Sequence, residues 1–258
     1  LGDVSGPLTV LPSYAALLAA AHGDPLVALE VGPELHAPPL ALGGAVAFVR
    51  ESQLGLAGVV VLGPEADAAE LLTGTDWRQR PGWSEWRSIT VLRPLRTVLA
   101  SLGVRGIGEW DTMSIEPGML VRRPLPSGVV VERGLGREEA RAFVGRHHTA
   151  RWITPEPVGE EWVAVRDSAT GALLGTGLAA YTPCGATRLT SIAVDRELRG
   201  RGLGWAVTQE LVDLGLERSG AVTLGVDEDN VAGRALYAAM GFRLDHELVS
   251  GMLPAPPA

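Results

Sequence analysis

The chain contains no lysine. All 22 of its basic residues are arginines, set against 30 acids, for a formal net charge of −8 over 258 residues. Without lysine there is no Schiff-base chemistry and no Walker-type phosphate lysine. The one cysteine, Cys184, cannot close an internal disulfide or build a multi-cysteine zinc site. It reads as a small semi-buried residue, and no metal is expected. No uninterrupted apolar run reaches the roughly 18–20 residues of a membrane span. The nearest imitation of a secretory leader, Ala15–Ala21, has no positive residue before it, since the first arginine is Arg50. The chain opens on Leu1 rather than Met, so a trimmed leader stays open; the expected location is the cytoplasm. An acidic chain without a basic cluster is a poor binder of nucleic acid or anionic membrane. It suits a cationic small molecule better. The arginine usage and the 33 glycines look like the coding bias of a GC-rich, bacterial genome.

What is present is ordinary globular material. Hydrophobic residues make up 46% and charged residues 20%, close to the average, and enough for a true core. The length allows one large domain or two of usual size. Ser114–Gly128 carries three prolines and two glycines between two periodic regions, which marks a linker. The expected domains are therefore 1–120 and 121–258.

In the second domain, strands are expected at Val129–Arg133, Trp162–Arg166, Leu173–Tyr181, Leu189–Val194, Val222–Val226 and Leu244–Met252. Helices are expected at Arg137–His147, after Gly204, and at Ala232–Met240 before Gly241. The order is β-α-β-β-β-α-β-α-β. The first domain repeats it loosely, with helices at Ser13–Ala21, Glu65–Leu72 and Pro94–Leu102. Its strands are expected near Leu26–Val31, Ala45–Arg50, Gly58–Leu62, Ser88–Leu92 and Trp110–Ile115. The repetition suggests a duplicated α/β fold.

The stretch Ser191–Gly204, SIAVDRELRGRGLG, takes a strand through a glycine-rich turn into a helix. Unpaired amides and the positive end of the helix dipole make such a turn an anion site. Gly200, Gly202 and Gly204 clear side chains away from those amides, and Arg199 and Arg201 add positive charge. A dinucleotide fingerprint starting at Gly200 would need glycine where Trp205 stands, and Asp227 is a weak match for its acidic partner.

The pattern that fits is R-x-x-G-x-G, at Arg199, Gly202 and Gly204. A second pattern, Asn230–Phe242, reads NVAGRALYAAMGF. Together they resemble the acyl-CoA-binding motifs of the GNAT superfamily of N-acyltransferases, over about residues 129–252. Asn230, Leu236, Tyr237, Gly241 and Phe242 match; Gly233 replaces the family's usual small residue.

The resemblance implies a mixed, mostly antiparallel twisted sheet with flanking helices, and a tandem of two GNAT-like halves. It implies acetyl-CoA, or another short acyl-CoA, as co-substrate, and acyl transfer to a primary amine through a direct ternary complex. Pantetheine would pair with the strand edge at Ile192, Ala193 and Val194. Pyrophosphate would rest on the amides of Arg199, Gly200, Arg201, Gly202, Leu203 and Gly204. Asn230 would hold the pantetheine arm, and Tyr237 would protonate the departing thiolate; the alternative for Tyr237 is a packed aromatic.

The chain departs from the family in two places. Val194, Asp195 and Arg196 lack the proline usual before the arginine motif. The strand TRLTSIAV has Arg188 and Thr190 where many relatives carry a basic glutamate. Glu132, Glu160, Glu161 and His148 are candidates for the missing base, whereas His147 reads as a packed histidine.

The first domain lacks both motifs, and Glu65 and Asp67 would repel pyrophosphate at its equivalent turn. It is expected to complete the acceptor pocket and stabilise the second domain. Trp77, Trp83 and Trp86 are either an acceptor surface or a packed cluster. Acceptor loops are expected at Arg151–Gly159 and Tyr181–Ala186. The acceptor is a small-molecule or peptide amine, and the protein a monomer or homodimer. Two alternatives stay open: a non-catalytic acyl-CoA-binding or regulatory protein, and a nucleotide-binding module, which Trp205 disfavours.

Overall fold

A computed structural model of the chain describes residues 7–51, 57–147 and 160–254. The chain forms two compact units, Leu1–Thr112 with Asp245–Ala258, and Met113–Leu244. The last strand, placed with the second domain by the sequence reading, thus belongs to the first unit.

The first unit contains strands β1 (Thr9–Val10), β2 (Leu40–Leu42), β3 (Ala45–Glu51), β4 (Ala57–Leu62), β5 (Ser88–Leu92) and most of β6 (Arg105–Ile115). Its helices are α1 (Tyr14–Ala20), α2 (Pro25–Glu30), α3 (Glu65–Thr73) and α4 (Arg96–Ser101). Antiparallel pairs join β1 to β2, β2 to β3, and β3 to β4, while β4 and β5 run parallel. Alternate residues bury both faces of this sheet. Ala47, Val59, Val61 and Ile89 pack with Leu71, Leu72 and Leu99 of the helices on one side. Val46, Phe48 and Val60 pack with Leu17, Leu26 and Val27 on the other.

The segment expected as a strand at Leu26–Val31 is instead α2. Asp24 accepts from the Leu26 amide and Pro25 occupies the first turn, two helix-start signals that outweigh the β-branched Val27. Trp77 and Trp83 are core, with rings edge-to-face at 5.8 Å and indole nitrogens donating to the Leu72 and Pro38 carbonyls. With Trp86 packed against the same core, the tryptophan cluster is a packed one.

The second unit holds β7 (Val129–Arg133), α5 (Arg137–His147), β8 (Glu161–Asp167), β9 (Leu173–Tyr181), β10 (Thr187–Val194), α6 (Leu203–Ser219), β11 (Val222–Asp227), α7 (Val231–Met240) and the start of β12 (Arg243–Met252). Its strands lie in the order β7-β8-β9-β10-β11. All neighbours are antiparallel except β10 and β11, whose parallel pairing requires the crossover that α6 supplies. Val163, Val165, Ala179 and Leu189 face α6 and α7. Trp162, Ala164, Leu178 and Ala180 face Ala140, Phe143 and Val144 of α5. In the first unit, β12 pairs antiparallel with β5 from Leu248–Leu92 to Met252–Ser88. Leu248 and Val249 enter opposite faces of that unit's core.

Three glycines bring α6 close to the sheet. A methyl on Gly177 would lie 2.6 Å from Leu211 Cδ1, and one on Gly215 would lie 2.6 Å from Val222 Cγ2 and 3.0 Å from Thr187 Cγ2; on Gly175 it would sit 3.1 Å from Val207 Cγ2. Val222 and Thr187 are β-branched and stiff at χ1, so they yield poorly. Gly215→Ala should therefore destabilise the protein by about 1–2 kcal/mol despite alanine's better helix propensity. Gly145→Ala in α5, where a methyl meets nothing within 4 Å, should stabilise it by about 0.5–1 kcal/mol. Urea unfolding of the two variants measures both signs; a stabilised Gly215→Ala would show that α6 has room to spare.

Candidate functional site

The site is built where β10 leaves β11. The two strands pair at Thr187–Val222, Arg188–Thr223 and Leu189–Leu224 and no further, although β10 continues to Val194 and β11 to Asp227. On its other side β10 keeps pairing with β9, but the register shifts between Thr190 and Ala193. Ser191 sits in that bulge with φ of 53°, and a bulge of this kind bends and twists its strand. Ile192, Ala193 and Val194 lie on the length of β10 beyond the last β11 pair. Ile192 and Val194 pack toward α6, and Ala193 toward α5.

The turn that follows is fixed by its own side chains. Asp195 accepts from the Glu197 amide and starts a short 3-10 turn, Arg196–Leu198. Gly200 and Gly202 have φ of 79° and 81°, a left-handed conformation that glycine adopts without cost. Gly202 is the N-cap of α6, and no side chain caps that helix. Its leading amides therefore stay open to an outside acceptor. A methyl on Gly200 would meet nothing within 4 Å; one on Gly204 would reach Leu236 Cδ1 at 3.4 Å. The cradle is thus open at Gly200 and closed behind Gly204 by α7.

The arginines of the turn divide. Arg199 donates to the His147 carbonyl at 3.1 Å, and Arg196 Nε to the same oxygen at 3.4 Å. They complete the C-terminus of α5, the end of a helix that favours cations. Arg201 is exposed, and among the described residues its guanidinium makes no hydrogen bond or ion pair. The side chain of Arg199 is therefore structural here, and Arg201 is the one available to an anion.

Asn230 caps α7, its Oδ1 accepting from the Gly233 amide at 3.0 Å. A methyl on Gly233 would fall 2.6 Å from Asn230 Nδ2, so glycine at 233 leaves space for this cap. The Asn230 carbonyl oxygen is committed to the helix, and its amide hydrogens remain to donate. Tyr237 is buried in the α6–α7 core with its ring 5.7 Å from that of Phe242. Burial pushes its phenol up to about 12, so it stays protonated at neutral pH.

The base candidates are largely committed elsewhere. Glu132 pairs with Arg166, Glu160 with Arg137, and Glu161 with Arg218. His147 stacks on Phe143 at 4.3 Å, and its Nδ1 accepts from the Arg196 amide at 3.3 Å. That bond engages Nδ1, which also faces the Asp195 carboxylate at 3.8 Å. His148 and the Arg151–Gly159 loop lie outside the described residues. Among the described residues no group of three His, Cys, Asp or Glu is placed to hold a metal ion, and no helix is long and apolar enough to cross a membrane. Cys184 is half-buried with its sulfur 3.1 Å from Thr182 Oγ1.

The supposed linker is also part of this unit. Arg122 forks onto Asp213, and the Arg123 amide donates to Gln209 Oε1 at 2.9 Å. The Arg123 guanidinium lies 3.8 Å from the Trp205 ring centroid. Pro126 Cγ would be 3.3 Å from a methyl on Gly202. Gln209 and Asp213 stand four residues apart in the sequence, which puts both seats on one face of α6.

The turn between β4 and α3 in the first unit is filled by its own chain. There β4 and β5 stay paired from Gly58–Ser88 to Val61–Val91, so only Ala57 and Leu62 of β4 and Leu92 of β5 lie beyond the ladder. Asp67, in the first turn of α3, accepts from the Gly44 amide at 2.7 Å. A methyl on Gly63 would fall 2.5 Å from the Gly44 carbonyl oxygen.

Residues 134–242 match the model of the acetyltransferase (GNAT) family. The N-alpha-acetyltransferase RimI of Mycobacterium tuberculosis is 34% identical over 113 residues, covering 41% of this chain and 68% of the relative. Among solved structures, a GCN5-related N-acetyltransferase from Sphaerobacter thermophilus aligns over 100% of this chain and 99% of its own, at 22% identity and a TM-score of 0.55. Another from Kribbella flavida aligns over 93% and 95%, at 19% identity and a TM-score of 0.55. At such identities the structural likeness establishes the fold, a mixed α/β sheet with flanking helices.

The raised phenol gives a test of the site's interior. Tyrosine ionises near pH 10 in an unfolded chain, and Tyr237 only near 12 when folded. Its contribution is fully present below pH 10 and is lost as pH rises through 12, about 2 kcal/mol by the upper end. Alkaline titration at 295 nm should show a tyrosine step well above pH 10 that is lost in Tyr237→Phe, and the same variant should flatten the high-pH fall in stability. A last step that survives in Tyr237→Phe would place the phenol in water.

Proposed function

The chain belongs to the GNAT acetyltransferase family, and from that premise we propose that it transfers an acyl group, acetyl foremost, from acyl-CoA to a primary amine. The observation that carries this reading is the parting of β10 from β11 beside an uncapped, glycine-opened helix N-terminus. That combination suits a ligand with a pyrophosphate at one end and an amide-bearing arm at the other. The amides of Gly200–Gly204 would take the pyrophosphate, with Arg201 adding charge. The free edge at Ile192–Val194 would pair with the pantetheine amides as an added strand does, and the Asn230 amide hydrogens would donate to the same arm.

Catalysis in this arrangement is chiefly positioning of the amine against the thioester. Tyr237, held neutral by burial, would protonate the departing thiolate. With the glutamates in ion pairs, the amine's proton would leave to water. The likeness to an N-alpha-acetyltransferase makes the α-amino end of a peptide the first acceptor class to try, ahead of small-molecule amines. We read the first unit as a GNAT-like half without a cofactor cleft, the two forming a tandem, since its turn is filled by Gly44 and Asp67. A second reading, acyl-CoA binding without turnover, draws on the pairing of every described glutamate considered as a base.

Acetyl-CoA-dependent thiol release, run with peptides bearing free or blocked α-amino ends and with simple amines, decides between these readings. Release with free-ended peptides or with simple amines, and none with blocked peptides, supports the proposal. Tight binding by calorimetry with no release over any acceptor supports the second reading. In the same assay Arg201→Ala should weaken acetyl-CoA binding about 3- to 10-fold, as an exposed charge contact does. Arg199→Ala should lower the melting temperature and leave affinity within about twofold; the opposite ranking would return the phosphate role to the Arg199 side chain.

A further inference from the structure

Ser191 bears two costs at one position. Only it and His22, among the described residues, have positive φ without being glycine. His22 follows the end of α1, its amide bonded to the Ala19 carbonyl, a place where a left-handed residue is ordinary. Ser191 is inside a strand. The chain places glycine at fifteen other positive-φ positions, so a serine at this one is an exception to its own habit. The second cost is polar. Ser191 is 6% exposed, and its hydroxyl is buried with no hydrogen-bond partner among the described residues. A buried unpartnered hydroxyl and a strained backbone are each unfavourable, and both persist where function uses them. Ser191 also lies past Leu189, on the length of β10 that has parted from β11.

We propose that the Ser191 hydroxyl is a catalytic hydrogen-bond donor to the acyl carbonyl oxygen, an inference that rests on the acyl-CoA reading above. The amine nitrogen forms a bond to the carbonyl carbon while the C=O π pair moves onto oxygen, where Ser191 Oγ–H donates to the developing charge. The pair then returns to re-form C=O, and the C–S bond breaks with its electrons going to sulfur. The sulfur takes one proton, and the amine nitrogen gives one up to water, leaving amide and free thiol. Ser191 loses no proton in this sequence. A donor aimed at the charge that develops in the transition state raises turnover more than it raises affinity.

The test compares Ser191→Ala and Ser191→Gly with the wild type in three measurements: melting temperature, acetyl-CoA affinity by calorimetry, and steady-state kinetics. Neither variant should be less stable, since alanine removes an unpartnered buried hydroxyl and glycine also accepts the positive φ. Affinity should hold within about threefold, while kcat falls by about 10- to 100-fold, somewhat below the loss of a full oxyanion-hole donor. The carbonyl infrared band of bound 13C-labelled acetyl-CoA should move in both variants toward its position in water. Turnover within twofold of wild type with the band unmoved would overturn the inference and leave the acyl-CoA reading standing. Failure of the wild type to bind acetyl-CoA would overturn that reading, and this inference with it.

Discussion

The candidate site depends on one constraint: β10 keeps its pairing with β9 while losing β11. The bulge between Thr190 and Ala193 sets two residues of β10, Ser191 and Ile192, against the single Gly177 of β9 and twists the strand away from its parallel neighbour. Because β10 and β11 run parallel, the chain must return through a crossover, and α6 starts at the end of β10 that has separated. Gly175, Gly177 and Gly215 hold that helix tightly on the sheet, so its N-terminus opens beside the gap. Where the constraint is absent, in the first unit, β4 and β5 stay paired and the following turn is occupied by the chain itself.

Charge in this molecule is spent locally. A chain of net charge −8 cannot attract a phosphate by its overall field, so any anion site must be made at short range. At the turn after β10, two arginines are used to finish α5, and what remains for a ligand is a set of open amides and Arg201. Carboxylates are treated likewise: Glu132, Glu160 and Glu161 each sit on an arginine. Tyr237, by contrast, is left without a charged partner and is kept neutral by burial alone, the state in which a phenol can give a proton.

Much of this was legible from residue order. The glycine spacing at 200–204, the Asn230–Phe242 stretch and the periodicity of α5, α6 and β7–β11 all mark local structure, and local structure is what a sequence states most directly. The misreadings have physical reasons. Leu26–Val31 looks like a strand by its apolar run, yet Asp24 and Pro25 start a helix there. β12 follows α7 directly in the chain, yet Leu248 and Val249 complete the core of the first unit; which unit a strand joins is a long-range matter. Ser114–Gly128 reads as a linker by its prolines and glycines, but Arg122, Arg123 and Pro126 find specific seats on α6. The bulge at Ser191 has no sequence signature, because nothing in TRLTSIAV marks a serine for positive φ. The commitment of Arg199 to the His147 carbonyl was equally invisible, since it joins residues 52 positions apart.

On the proposed function, the gap between β10 and β11 and the open end of α6 together form the acyl-CoA site. Titration of the 15N-labelled protein with acetyl-CoA, followed by backbone amide shifts, is the decisive measurement. The largest changes should fall at Gly200, Gly202, Leu203 and Gly204, followed by Ile192–Val194, with Gly63, Glu65 and Asp67 unmoved. Saturable shifts centred on Gly63–Asp67, or no shift at the α6 N-terminus while acetyl-CoA binds, would contradict it.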